Sequence, residues 1–184
     1  MVEQLTRNEQ VVSSSLAAGS TAQAAQELTT YSLWEMSVSD KKPKESGLIE
    51  RIDLDSEEIK ALLGWWTVIH RDIKTAEELL NIDLDWSFNL SYNAMLQACL
   101  AYMYSKGYRP RGAEVHKTAI RFVRRTLKGW ESTIDQIDQI RKKRHRVTYQ
   151  VAGSVSKEEA GATFSLAKHF TDDLKEVIKS ETAE

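Results

Sequence analysis

The sequence has few of the residues that interrupt or cross-link a chain. Its 184 residues include 2 prolines, 8 glycines and one cysteine, Cys99. So few turn-forming residues disfavour a sandwich of many short strands and favour long helices. A single cysteine excludes an internal disulfide framework and a zinc site built from cysteines. The 4 histidines do not pair at the spacing of metal ligands on one helix, so we expect neither a metal nor another cofactor.

Long apolar runs are also lacking. No stretch approaches the roughly 18 apolar residues of a membrane-spanning helix, so we expect no membrane contact. The N-terminus does not show the basic and then apolar pattern of a signal peptide. Together with the scarcity of cysteine, this predicts a protein of the reducing cytoplasm.

Charge is distributed unevenly along the chain. The formal net charge is −2, yet the segment from Arg109 to Arg146 holds 12 lysines and arginines and only 4 acidic residues. The rest of the chain is therefore strongly negative. A basic block in an acidic protein favours a patch for anions, of which nucleic acid is the usual candidate. The alternative is a solvated helix face that carries many arginines.

Apolar residues recur at helical spacing after residue 55 and predict five helices. The predicted helices cover about residues 55–80, 90–106, 113–127, 132–148 and 156–178. Asp83-Leu84-Asp85-Trp86 is interpreted as a turn, and Gly107 as the end of the second helix. Because no segment alternates as a strand does, the pattern predicts an all-α antiparallel bundle over residues 49–180.

The first 48 residues have a different composition, rich in Ser, Thr, Ala and Gln. We interpret them as an N-terminal extension that is partly helical or flexible. Residues 22–36 are the segment in it that favours a helix.

The fourth predicted helix carries the most informative cluster, Arg141-Lys142-Lys143-Arg144-His145-Arg146. Helical spacing places Arg141 and Arg144 on the stripe that begins with Ile137. Burying a guanidinium costs several kcal/mol unless it is paired. The two arginines therefore predict a cleft, an interface or an anion site. The alternative is a salt bridge, either with Asp138 or with the acidic first helix.

Five segments together resemble a known family. In chain order they are Arg71-Asp72-Ile73 with Ala76-Glu77-Glu78-Leu79-Leu80, Lys106-Gly107-Tyr108-Arg109-Pro110, Gly112-Ala113-Glu114-Val115-His116, Arg141 to Tyr149, and Ser156-Lys157-Glu158-Glu159-Ala160. Their order and spacing resemble HEPN domains, the small helical bundles of prokaryotic toxin–antitoxin and defence systems. The resemblance covers roughly residues 55–178 and implies a homodimer. It also implies a nucleotidyltransferase-type partner protein able to modify a tyrosine of this chain.

Ribonucleases of that family carry an arginine and, about four to six residues later, a histidine. The arginine holds the scissile phosphate and the histidine moves a proton. This sequence departs from the pattern, because counting from Arg144 places Tyr149 where the histidine should be. In a second register, Lys142 replaces the arginine and Val147 the histidine. A tyrosine, with a pKa of about 10, is a poor base at neutral pH.

The resemblance therefore assigns Arg144, His145 and Tyr149 as candidate catalytic residues. The arginine would contact phosphate, His145 would orient it, and Tyr149 would stack or donate a hydrogen bond. The candidate residues for nucleic-acid binding are Arg141, Lys142, Lys143, Arg146, Arg124 and Arg125. Arg111 and His116 also show the family's spacing, but at a loop-to-helix junction. We interpret His116 as a helix-start residue that bonds a neighbour.

Three functions agree with these residues. The preferred one is a HEPN-like protein of a toxin–antitoxin or defence module that binds RNA, or a nucleotide-bearing partner, through the basic cluster. The second is a metal-independent endoribonuclease with an altered Arg/His/Tyr site. The third is a non-catalytic dimeric subunit for protein interaction, in which the arginines pair with acidic residues across the dimer.

Overall fold

The computed structural model describes the backbone of residues 48–52, 56–149 and 153–182. Side chains are described for residues 48–52, 64–144, 146–147 and 153–181. Nearly all of the predicted N-terminal extension, including the helix predicted at residues 22–36, lies outside these residues.

The described residues form five helices and two short strands. The helices are α1 (Ser56–Leu79), α2 (Leu84–Ser105), α3 (Val115–Thr126), α4 (Glu131–Tyr149) and α5 (Lys157–Thr182), and the strands are β1 (Ile49–Arg51) and β2 (Tyr108–Pro110). The predicted all-α bundle is confirmed. The two strands make up a single small sheet, which the sequence pattern did not predict because three residues are too few to show alternation. Within the described ranges, no helix is long and apolar enough to span a membrane.

The chain divides into two compact units. The smaller consists of residues 1–50 and 111–115, and the larger consists of residues 51–110 and 116–184. In the smaller unit, the Arg111 amide donates a hydrogen bond of 2.8 Å to the carbonyl of Leu48. The Arg111 side chain also lies 3.7 Å from the Glu50 carboxylate. The larger unit contains the helical bundle.

Helix α2 is the central element of the bundle. It packs chiefly against α1 and α5, and also against α4. The five residues predicted to face inward on it are all buried, which confirms that stripe: Met95, Ala98, Cys99, Tyr102 and Met103. Cys99 is fully buried, and burial raises the pKa of its thiol.

Helix α2 begins earlier than the sequence pattern predicted. Asp83 is its N-cap and accepts a hydrogen bond of 3.0 Å from the Trp86 amide. The predicted turn at Asp83-Leu84-Asp85-Trp86 is therefore wrong, since three of these residues form the first helical turn. Aspartate favours both turns and helix N-caps, so its presence alone did not distinguish them.

A buried carboxylate connects α1 to α2. Asp72 is 3% exposed and accepts hydrogen bonds from Asn93 at 2.8 Å and from Gln97 at 2.9 Å. The neighbouring Arg71 donates to it as well, at 2.8 Å. Both oxygens of this carboxylate thus have hydrogen-bond donors, which offsets much of the cost of burying it.

Gly107 closes the C-terminal end of α2 and needs to be glycine. It directly follows the C-cap Lys106 and has φ +77°, the left-handed region that follows many helices. A Cβ atom here would lie 3.2 Å from the carbonyl oxygen of Ile52. The Ile52 amide in turn donates to the Gly107 carbonyl at 2.9 Å, so the backbone has little freedom to move away.

We expect Gly107→Ala to lower the free energy of unfolding by about 1–2 kcal/mol, because the methyl group adds strain at a positive φ. Gly161, within α5, is the matched control, since a Cβ there meets nothing within 4 Å. Gly161→Ala should raise the free energy of unfolding by about 0.5–1 kcal/mol. Urea denaturation measures both variants, and equal effects of the same sign would contradict this account of Gly107.

Candidate nucleic-acid interface

The inward face of α4 changes from apolar to basic along its length. Ile134 and Ile137 are completely buried, and Val147 is 5% exposed. Between them, Arg141 and Arg144 are partly buried. The helix therefore places two guanidinium groups on a face that is otherwise packed into the bundle, where unpaired charge is costly.

Asp138 neutralises part of this charge. It accepts a hydrogen bond from Arg141 Nε at 2.8 Å, and its other oxygen lies 3.0 Å from Lys142 Nζ. Partial burial alone would raise the pKa of Asp138, but the hydrogen bonds and charges of these two residues outweigh burial and lower it. The alternative of a salt bridge to Asp138 is therefore correct for Arg141.

Two further candidate binding residues also have carboxylate partners. Lys143 pairs with Glu159 of α5. Arg124 donates two hydrogen bonds to Asp135, of 2.7 and 3.2 Å, which join α3 to α4. The ammonium group of Lys143 and the guanidinium of Arg124 are thus each oriented by a carboxylate. This lowers the net positive charge that the two residues present to an anion.

Apart from Arg144, the remaining candidate cations are Arg146 and Arg125. Arg146 is exposed at the end of α4, with no carboxylate partner among the residues whose side chains are described. Arg125 lies partly buried on α3.

Arg144 is the cation with the most unusual surroundings. Its Cζ lies 5.5 Å from the centre of the Tyr92 ring, within the range of a cation–π contact. Its Nε is buried and has no hydrogen-bond partner among the described residues. No described carboxylate pairs with it either. Arg144 therefore lies against an aromatic face rather than a described carboxylate.

The same tyrosine also contacts His116 at the start of α3. The Tyr92 hydroxyl lies 3.0 Å from His116 Nδ1, and the two ring centres are 5.9 Å apart. The interpretation of His116 as a helix-start residue that bonds a neighbour is thereby confirmed. Burial, followed by the charges of Arg144 and Arg141, lowers the pKa of His116 to about 4. Burial also raises the pKa of Tyr92, against the charges of those two arginines.

Tyr92 and His116 were not among the site residues that the sequence predicted. Helical spacing places Tyr92 on the buried face of α2, but it does not show that a residue on α3 lies against it. The side chains of His145 and Tyr149, two of the three candidate catalytic residues, lie outside those that the structure describes. Arg144 is the candidate catalytic residue that the structure places, and it lies beside Tyr92.

The His116 environment predicts a specific pH dependence of stability. From pH 6.5, the ordinary pKa of histidine, down to about 4, the unfolded chain binds a proton that the folded chain does not. The free energy of unfolding should therefore fall as pH decreases through this window, by at most about 3 kcal/mol. His116→Asn keeps an acceptor for the Tyr92 hydroxyl but does not titrate. Chemical denaturation should show a smaller fall for this variant, and equal pH profiles would contradict the assignment.

Comparison with known proteins agrees with the helical architecture. The family model described as the HEPN domain matches residues 65–177, which includes most of α1 and all of α2, α3 and α4. Searches of curated proteins and of solved structures gave no match. The family match spans more than half of the chain and every residue of the Arg144, Tyr92 and His116 cluster. We conclude that this chain belongs to the HEPN domain family.

Proposed function

We propose that this HEPN-domain protein binds RNA through the C-terminal half of α4. The observation that carries the proposal is Arg144, a fixed guanidinium without a carboxylate partner among the described residues. Arg146, exposed two residues further along the helix, adds a second cation that has no carboxylate partner among the described side chains.

The balance of charge around α4 supports an anionic ligand. Among the described side chains, two carboxylates pair with cations in the basic half of the helix: Asp138 of α4 itself and Glu159 of α5. They serve three of its cations, so a surplus of positive charge remains at the others. The cations are Arg141, Lys142, Lys143, Arg144 and Arg146. A surplus of this kind attracts a polyanion and releases its counterions when the complex forms.

The contact with Tyr92 supports a phosphate ligand in particular. A guanidinium presents its N–H groups in one plane, which matches the oxygens of a phosphate. Because Arg144 lies over the Tyr92 ring, less side-chain freedom is lost when it binds than for a lysine or arginine in solvent. A partly buried charge is also screened less by salt than an exposed one.

Membership of the family adds the biological setting to the proposal. The protein acts in a toxin–antitoxin or defence module, as a homodimer, with a nucleotidyltransferase-type protein as a partner. These parts rest on analogy with the family, whereas the RNA contact rests on the surroundings of Arg144.

The proposal predicts that RNA binding depends on salt and requires Arg144 and Arg146. Fluorescence anisotropy with a short labelled single-stranded RNA should show an affinity that falls steeply with ionic strength. Arg144→Gln and Arg146→Gln should each weaken binding about tenfold. Each should also reduce the slope of log affinity against log salt by about 0.7.

Lys74→Gln is the control, since it removes an exposed cation from α1 and should leave the affinity nearly unchanged. Absence of RNA binding at low salt, or full binding by the double variant of Arg144 and Arg146, would refute the proposal. If Arg144→Glu instead dissociates the protein into monomers, the arginines serve a protein interface.

A second prediction concerns the acid that restrains Arg141. Asp138→Asn removes a negative charge next to Arg141 and Lys142, so RNA affinity should rise about threefold to tenfold at low salt. Asp172→Asn, which removes a carboxylate from the exposed side of α5, is the matched control. An unchanged affinity for Asp138→Asn would show that RNA does not approach this part of α4.

A further inference from the structure

The ring of Tyr92 connects two potential ligand-binding groups on different helices. Arg144 of α4 lies against the ring face, with Cζ 5.5 Å from its centre. His116 of α3 bonds to the hydroxyl at 3.0 Å. Tyr92 itself is 1% exposed, so it does not reach a ligand and acts only on these two neighbours.

The burial of Tyr92 determines where the imidazole proton lies. A buried hydroxyl must donate a hydrogen bond or lose the energy of its hydration. Among the described residues, the partner of this hydroxyl is His116 Nδ1 at 3.0 Å, and we therefore assign Nδ1 as the acceptor. When Nδ1 accepts, the proton of a neutral imidazole is on Nε2. Burial lowers the pKa of His116 to about 4, so the ring is neutral at pH 7.

The groups that act on His116 leave it in a positive environment. Tyr92 of α2 bonds to it, and Arg141 and Arg144 of α4 act on it through their charges. Asp138, an acid whose charge acts on Tyr92, is paired with Arg141 and Lys142. A neutral N–H donor within electrostatic reach of a guanidinium that pairs with no described carboxylate is a combination suited to an anion.

We propose that His116 Nε2 and Arg144 bind the same phosphodiester group of RNA, with Tyr92 as the residue that positions both. The proposal rests on the proposed RNA-binding function and adds a donor from α3 to the basic half of α4. In this arrangement the guanidinium comes from α4 and the imidazole from α3, and both contact the same ring.

His116 should differ from the arginines in how its contribution to RNA affinity depends on salt. A neutral imidazole contributes a hydrogen bond but displaces no counterion. His116→Ala should therefore weaken RNA binding about tenfold at neutral pH without changing the dependence on salt. Arg144→Gln should change both the affinity and that dependence.

Rescue by similar residues tests the geometry. Glutamine carries an amide N–H close to the position of Nε2, so His116→Gln should recover most of the lost affinity. Tyr92→Phe keeps the ring beneath Arg144 but removes the hydroxyl that orients His116. It should weaken binding several-fold, again with an unchanged salt dependence. His169→Ala is the matched control, because His169 also bonds through Nδ1, to the Ser165 carbonyl, but lies exposed on α5.

A measurement on the unmodified full chain avoids variants that fail to fold. Addition of inorganic phosphate at neutral pH should shift the nitrogen resonance of His116 Nε2 in an NMR spectrum and leave that of His169 in place. An unchanged His116 resonance, together with wild-type RNA affinity in His116→Ala, would overturn the inference.

The outcomes distinguish this inference from the function on which it rests. If Arg144→Gln loses RNA affinity while His116→Ala and Tyr92→Phe do not, RNA binding stands and the role of His116 is wrong. If the unmodified protein binds no RNA but phosphate shifts the His116 resonance, the anion site stands and the proposed RNA ligand is wrong.

Discussion

The hydrogen-bonding requirement of one buried hydroxyl organises the candidate site. Tyr92 lies inside the bundle on the central helix, and its hydroxyl meets His116 at 3.0 Å. Since a buried O–H that lacks an acceptor destabilises the fold, the position of α3 relative to α2 is tied to this bond. Arg144 lies against a face of the same ring. One side chain thus determines the surroundings of both an imidazole and a guanidinium.

Carboxylates divide the basic residues of α4 into two classes. Arg141, Lys142 and Lys143 pair with the acidic side chains of Asp138 and Glu159. These partly exposed pairs stabilise the helix. Arg144 and Arg146 have no acidic partner among the described residues. A count of positive charges in the sequence does not distinguish the cations that have acidic partners from those that do not. Their availability to a ligand depends on which acids the fold brings close, and on how far burial weakens screening by solvent.

The helical pattern predicted most of the fold because burial repeats at regular spacing. It placed Arg141 and Arg144 on the packed stripe of α4 and offered the salt bridge to Asp138, which is local in sequence, only as an alternative to an anion site; for Arg141 that alternative is the one found. It missed the start of α2, where Asp83 acts as a cap although aspartate is equally common in turns. It also missed the contact between Tyr92 and His116. That contact joins residues on separate helices, and no periodic signal reports which faces of two helices meet.

The burial of Cys99 has a consequence for the chemistry of the whole molecule. It is the one cysteine of the chain, it has no exposure, and its thiol resists ionisation. Oxidants and alkylating reagents attack the thiolate form, so Cys99 is protected from them in the folded protein. Modification requires the centre of the bundle to open, and the rate at which a thiol reagent reacts therefore reports that opening.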